Sequence, residues 1–409
     1  MQTDAVIIGG GIAGIQCATH LSSLGLQSVI VEKAPFLGGH VARLACKATD
    51  RCRRCGACAL EDVLRRMVSS GSVRQLVRTT VERVEERNGG FSLTLSRRPV
   101  RIFPERCGQC GECERVCPAD GALVRVPGGN GIVLDEDKCL FFKDGSCRAC
   151  MEACPDLAIN LDEGSDALTL NASAVIVATG FTPFDPEIKP RFGYGLVPGV
   201  VTALEMDSML RNDTWFPGEG EGAIQSAAFI QCVGSRDVAI GRNYCSRVCC
   251  GYAVRMARLL KYRFPALRPT MFYMDIQSFE RAFDKTLQEA SQEVRLIRSI
   301  PAEIRKGGDG RPEVVYHGPD DQRVMESFDL VILSIGISPA SSEPFSGLGR
   351  TRDGFCGLDG EEVTTLKKGV FTAGTVQGPK SIGETLSHAM AAAGRAGSYV
   401  REMQSGGSQ

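Results

Sequence analysis

The run Val6-Ile7-Ile8-Gly9-Gly10-Gly11-Ile12-Ala13-Gly14 limits the fold of this chain more than any other segment. An apolar strand enters G-x-G-x-x-G and a helical pattern leaves it. Each glycine has a mechanical reason in a βαβ unit. Gly9 permits the tight turn, Gly11 lets the backbone approach a pyrophosphate, and Gly14 lets the helix lie against the sheet. The helix N-terminus then offers free N–H groups to the phosphates. A second strand, Val29-Ile30-Val31, ends in Glu32, where a carboxylate can accept ribose hydroxyls. Glycines alone would be an ordinary turn. Strand, helix and acid together predict a dinucleotide site.

Strand and helix signals alternate along most of the 409 residues, which predicts α/β units with parallel sheets. Strands are expected from Ala172 through the apolar run Ala174–Ala178, at Ala227–Val233 and at Leu330–Leu333, and a strand and turn at Gly369–Gly374. Helices are expected over Tyr244–Phe264 and Ile382–Met403, and a loop over Gly218–Gly222. Residues 101–162 differ: cysteines crowd there and the apolar periods shorten. The expected organisation is a first dinucleotide unit at 1–100, an insert at 101–162, a return at 163–205, a second dinucleotide-like unit at 206–364, a closing part at 365–403 and a flexible tail at 404–409.

Charge and hydropathy exclude several classes. The net charge of −1 gives no pull toward nucleic acid or anionic membrane. No apolar run approaches the ~20 residues of a membrane helix. The N-terminus enters a strand directly, without a leader pattern, so a cytoplasmic protein is expected. No Ser-His-Asp set or carboxylate pair suggests hydrolysis, and no acid–base motif surrounds the four histidines.

The chain holds 18 cysteines, many two or three residues apart, which favours metal over disulfides in a large chain of this class. Cys107-x2-Cys110-x2-Cys113-x3-Cys117-Pro118 is the bacterial ferredoxin run. Cys139, Cys147, Cys150 and Cys154-Pro155 form a second run with a longer first gap. Thiolates so spaced suit [4Fe–4S] cubes, and the fourth cysteine of each run serves the other cube. Cys107, Cys110, Cys113 and Cys154 are therefore assigned to one cube; Cys139, Cys147, Cys150 and Cys117 are assigned to the second. Cys232, Cys245, Cys249 and Cys250 form C-x12-C-x3-C-C, whose spacing fits either ligation or buried thiols. Cys46, Cys52, Cys55 and Cys58 admit a further cluster or free thiols. Cys17 reads as core packing, and Cys356 stands alone. Arg247, Arg255, Arg258, Lys261 and Arg263 read as a solvated helix face, with an acidic docking partner as the alternative.

Several segments resemble flavoproteins with two dinucleotide domains. Lys33 to Gly39, with Gly38-Gly39, resembles their flavin-side turn; Ala178-Thr179-Gly180 resembles their returning strand. Val370-Phe371-Thr372-Ala373-Gly374 resembles their closing flavin motif, with Thr375 where many carry Asp. These likenesses favour FAD at the first site. The second unit offers Gln231-Cys232-Val233-Gly234-Ser235 in place of a glycine fingerprint.

Gln231–Asp237, Tyr244–Cys250, Pro35–His40 and Gly378-Pro379-Lys380-Ser381-Ile382 resemble the flavin-binding A-subunit family of heterodisulfide reductases, in a short form that carries the ferredoxin insert. The resemblance implies a thioredoxin-reductase-like α/β flavoprotein with an inserted two-cluster ferredoxin-like domain. It implies that Cys232, Cys245, Cys249 and Cys250 hold a [4Fe–4S] cluster close to FAD, and that Lys380, Ser381 and Ile382 lie near the flavin. It implies a component of a soluble electron-transfer complex of anaerobic metabolism. Its partners would be B/C-like reductase subunits, hydrogenase or NADH-module subunits, ferredoxin, or a second copy. Terminal reduction of a disulfide or acyl-CoA-type substrate, with electron bifurcation or confurcation, also belongs to that implication. The alternatives are a free-standing NAD(P)H-dependent flavin reductase and a non-catalytic scaffold that carries clusters.

Overall fold

The computed structural model describes residues 1–87, 89–125, 131–212, 214, 224–277, 279, 283–340, 347–357 and 363–406. The loop expected at Gly218–Gly222 and the end of the tail, 407–409, lie outside the described residues.

The chain opens with β1 (Gln2–Ile8), α1 (Ile12–Ser23) and β2 (Ser28–Val31). Next come α2 (Ala59–Ser70), β3 (Val73–Leu76), β4 (Thr79–Arg87) and β5 (Gly90–Arg97). Side chains alternate across a strand, so β1 feeds two cores. Ala5 and Ile7 pack with α1, while Val6 and Ile8 join Val175, Val177 and Leu95 on the opposite face. That is why Ala5 to Ile8 of β1 are apolar at every position rather than alternating.

An insert comes next: α3 (Glu112–Val116), β6 (Leu123–Arg125), β7 (Ile132–Leu134), α4 (Leu140–Asp144) and α5 (Ala149–Glu152). It has its own small core, with Cys113 and Cys150 beside Ile102, Ile132, Ile159 and Leu161. An Ile102–Ile159 bridge and Arg101, which donates to the carbonyls of Leu161 and Glu163, close its neck.

The chain re-enters the first sheet at β8 (Asp166–Val177), earlier than the Ala172 start expected, because its outer half pairs antiparallel with β5. β9 (Phe181–Pro183) leads to β10 (Val200–Thr202) and α6 (Ala203–Asn212). β10 belongs to the second unit although the sequence boundary was 206, since it pairs with a strand of that sheet. There follow β11 (Ser226–Val233), α7 (Cys249–Arg263), β12 (Arg268–Phe272), α8 (Phe283–Ala290) and β13 (Arg295–Ile297). A meander, β14 (Glu303–Lys306), β15 (Pro312–His317) and β16 (Arg323–Ser327), precedes β17 (Leu330–Ile335). The second sheet is parallel, in the order β10-β17-β11-β12-β13. β18 (Ile337–Pro339) pairs with β9, so the two crossovers between units run side by side. β19 (Val370–Thr372) joins β8, which completes the first sheet as β3-β2-β1-β8-β5-β4 with β19 beside β8. α9 (Ile382–Gly406) closes the chain.

Three expectations are corrected. The helix expected from Tyr244 begins at Cys249, because Tyr244 to Val248 form a turn rather than a helix. The tail is helical to Gly406, where Ser405 bonds back to Arg401 and Glu402 and Gln404 reaches Asp4. Finally, α7 does not present a solvated basic face. Arg255 and Arg258 are buried, and Arg258 grips Glu293 through two bonds of 2.9 Å and Glu289 through a third of 3.0 Å. Buried guanidinium groups need such partners.

The same acids hold the loop that carries Cys46 to Cys58. Arg51 and Arg53 also bind Glu289, and Arg255 donates to the Arg53 carbonyl at 2.9 Å. On the other flank, Asp207 of α6 accepts from the Ala45 N–H at 3.0 Å and pairs with buried Lys47. Arg211 donates to the Leu44 carbonyl at 2.9 Å. A segment of the first unit is thus tied on both sides to the second. Among the described residues, no helix is long and apolar enough to cross a membrane.

Candidate functional site

A cavity of about 890 Å³ runs from the first glycine turn toward the second unit. Gly9 and Gly11 line it, with Glu32, Lys33, Gly38, Gly39, Thr179, Gly180, Thr375, Lys380, Ser381 and Ile382. The glycines divide the work by geometry. A Cβ on Gly9, at φ 106, would lie 2.3 Å from the Ala178 carbonyl oxygen; one on Gly14 would lie 1.9 Å from that of Gly9. Both therefore serve close backbone contact. A Cβ on Gly11 would meet nothing nearer than Gly39 Cα at 4.0 Å, so the space before Gly11 is open. Gly374 is buried against Ala13 and does not line the cavity.

Glu32 is buried at the end of β2. Its two oxygens accept from the N–H groups of Gly10, at 2.6 Å, and Ala34, at 2.7 Å. A carboxylate offers about four acceptor sites, so Glu32 retains capacity for hydroxyl donors. An open backbone approach, a helix N-terminus and a buried acid fit an adenine dinucleotide.

His40 and Phe181 at this cavity, and Glu384 beside it, were not read from the sequence as site residues. His40 stacks on Phe181 with ring centroids 4.3 Å apart and bonds its carbonyl at 3.1 Å. Burial pushes its pKa below the ordinary range, helped by Arg43 and Lys33. Ser381 and Glu384 form a reciprocal capping box at the start of α9, at 2.8 and 3.2 Å, and Glu384 also pairs with Arg247 from the Cys245 turn at 2.5 Å. The Ser-x-x-Glu spacing was visible in the sequence; its link to the cysteine turn was not.

In the insert, Cys107, Cys110, Cys113 and Cys154 surround one small hollow. The Cys150 thiol is pushed up to about 11, first by burial and then by Cys139, Cys117, Cys147 and Cys113. Cys154 thus stands with the cysteines of the first run, and Cys117 and Cys113 of that run both stand near Cys150. In the second unit, a bulge in β11 turns Cys232 out at φ 60. Burial, then Cys250 with Cys245, pushes its thiol up to about 11. Cys249 is raised by burial and by Cys232, Cys250 and Cys245. Cys232, Cys245, Cys249 and Cys250 are therefore neighbours around the start of α7. Val248, Tyr252, Ile335 and Gly336 carry this neighbourhood to the cavity wall. Among the described residues no group of three or more such side chains could hold a single metal ion. A cube takes one thiolate at each of four irons, so its ligands stand further apart than those of one ion.

Cys46, Cys52 and Cys58 are exposed, and Cys55 faces the cavity. The local turn at Cys52 nevertheless repeats that at Cys245. Arg54, at φ 51, donates its N–H to Cys52 Sγ at 3.4 Å; Arg247, at φ 63, does so to Cys245 at 3.3 Å. Non-glycine residues with positive φ are uncommon and gather at functional sites. Here Arg54, Gln109, Leu157, Cys232, Arg236 and Arg247 all flank or belong to cysteine groups. Cys17 is buried and bonds the Ala389 carbonyl, which is core packing; Cys356 is buried.

Between β11 and α7, all of whose residues are described, there is no phosphate turn. Gly234, at φ 80, would place a Cβ 2.0 Å from the ring of buried Phe184, over which Arg242 lies. Residues 234–248 separate β11 from α7, so no helix N-terminus directly follows the strand.

The model of one protein family, described as pyridine nucleotide-disulphide oxidoreductase, matches residues 3–394. Over 97% of its length the chain is 32% identical to the A subunit of the H(2):CoB-CoM heterodisulfide,ferredoxin reductase of Methanothermobacter marburgensis, covering 64% of it. It is 30% identical to the A subunit of the ferredoxin:CoB-CoM heterodisulfide reductase of Methanosarcina acetivorans, over 98% of the chain and 57% of that protein. The chain thus spans less than two thirds of these curated relatives. Among solved structures, thioredoxin reductase from Lactococcus lactis matches with a TM-score of 0.57 at 16% identity, covering 98% of this chain and 99% of that one. Thioredoxin reductase from T. acidophilum matches at 0.55 and 17%, covering 97% and 98%. The expected thioredoxin-reductase-like fold is borne out.

Proposed function

The chain belongs to the pyridine nucleotide-disulphide oxidoreductase family and is related to heterodisulfide reductase A subunits; from that premise we propose that it is an FAD- and [4Fe–4S]-containing electron-transfer subunit of a larger oxidoreductase. The observation that carries this reading is the connection between β11 and α7, which brings Cys232, Cys245, Cys249 and Cys250 into one neighbourhood in place of a phosphate turn. When bound, FAD supplies a two-electron centre and each cluster a one-electron centre.

The residues have distinct tasks. Gly11 and the start of α1 receive the pyrophosphate, and Glu32 takes the ribose hydroxyls. Lys380 brings a cation to the flavin end. Cys107, Cys110, Cys113 and Cys154 hold one cluster, and Cys117, Cys139, Cys147 and Cys150 a second. Cys232, Cys245, Cys249 and Cys250 hold a third. The repeated Cys–Arg turn supports a fourth at Cys46, Cys52, Cys55 and Cys58. Partners are other subunits of the complex, with ferredoxin, hydrogenase or NADH modules as electron donors or acceptors. Splitting an electron pair between two acceptors is consistent with one FAD among several clusters.

The test is an anaerobic count of iron and flavin, followed by titration with NADH, NADPH and reduced ferredoxin. About twelve irons and one FAD, unmoved by either nicotinamide, are expected; about sixteen would include the Cys46 group. Rapid flavin bleaching by NADH or NADPH alone would replace this reading with a free-standing reductase.

A further inference from the structure

A hydrogen-bonded chain links the backbone after β19 to Lys380. Gly374, at φ 76, would place a Cβ 2.7 Å from that of Ala13, so the corner requires glycine. Its N–H donates to Nδ1 of His388 on α9, at 2.9 Å. An imidazole nitrogen that accepts carries no proton, so the proton of the neutral ring is on Nε2. Nε2–H then donates to Oε1 of Gln377, 2.8 Å away. This bond decides which end of the Gln377 amide faces inward. The same oxygen accepts from Lys380 Nζ at 3.4 Å. Meanwhile the Ser381–Glu384 capping box fixes the backbone beside Lys380. The lysine is thus held at its root by the cap and at its head by an amide oriented through His388.

We propose that His388 and Gln377 are positioning residues that hold the Lys380 ammonium at one place on the cavity wall and so set the reduction potential of the flavin bound there. The proposal rests on the FAD reading above. A cation beside a flavin stabilises the reduced, more negative form, and does so most when it cannot swing into solvent. Neither residue reaches the cavity lining itself, so their effect passes through Lys380.

The test is an anaerobic spectroelectrochemical titration of the flavin in the holoprotein, with flavin content measured for every variant. Wild type is compared with Lys380→Met, His388→Leu, Gln377→Leu and the double variant Lys380→Met/His388→Leu. Each single change is expected to lower the reduced-to-oxidised ratio at fixed potential by up to about tenfold, or about 30 mV for a two-electron couple. The double variant should fall no further than Lys380→Met, because one pathway is removed twice. Unmoved potentials in His388→Leu and Gln377→Leu, or full additivity in the double variant, would overturn the proposal. Should His388→Leu fail to fold, Gln377→Leu against Lys380→Met decides the matter. Wild-type protein that binds no FAD would defeat the flavin reading instead, and the two failures are thereby distinguished.

Discussion

The two α/β units share an architecture and differ in the connection that leaves one central strand. After β1 the chain turns through three glycines straight into α1, leaving open space in front of Gly11. After β11 it bulges at Cys232, places Gly234 under Phe184 and reaches α7 only at Cys249. The first arrangement suits a phosphate, the second a set of thiolates. The lesson is that a parallel sheet fixes where a site stands, while the loop at the strand's C-terminal end fixes its chemistry.

The largest expected effect tests the second unit. Cys250→Ser should remove about four irons per chain while FAD stays at one per chain, by elemental analysis and flavin absorbance. Loss of both would show that the two sites are not separate. Next is the contact between the units. Lys47→Met leaves buried Asp207 without its cation and should cost about 3–5 kcal/mol in urea unfolding, while Lys47→Met with Asp207→Leu should recover much of that. Equal losses in the single and double variants would break the ion-pair account.

Gly11→Ala comes third. Its Cβ meets only Gly39 Cα, at an uncrowded 4.0 Å, so the fold should persist while FAD affinity drops by about 100-fold, or about 2.7 kcal/mol, in a fluorescence titration. Gly234→Ala should do the reverse, lowering stability through the Phe184 ring with FAD affinity kept. The smallest effect is pH dependence. His40 has a depressed pKa in the folded state, so the unfolded chain takes up its proton first. Its contribution is complete above about pH 6.5 and declines as pH falls toward the folded value. Urea midpoints should drop from pH 7.5 to 5.5 in wild type and drop less in His40→Gln.

Much of this was legible in the sequence because the signals were local. The glycine turn, the ferredoxin runs and the apolar strands each lie within one short window. The place of Cys154 beside Cys107, Cys110 and Cys113 followed from a spacing rule. What was illegible depends on distant partners. Nothing near Arg258 announces Glu289 and Glu293, so a buried clamp looked like a solvated face. Nothing near His388 announces Gly374. The outer half of β8 escaped notice because Asp166 to Asn171 are mixed in polarity and become a strand by pairing with β5.

The loop bearing Cys46 to Cys58 is gripped by Asp207 and Arg211 on one flank and by Arg255, Arg258 and Glu289 on the other. The orientation of the two units is therefore held by contacts within the chain itself. A visiting protein meets a template that is already assembled, and recognition need not supply the entropy of bringing two domains into line. More of the contact energy then remains as affinity.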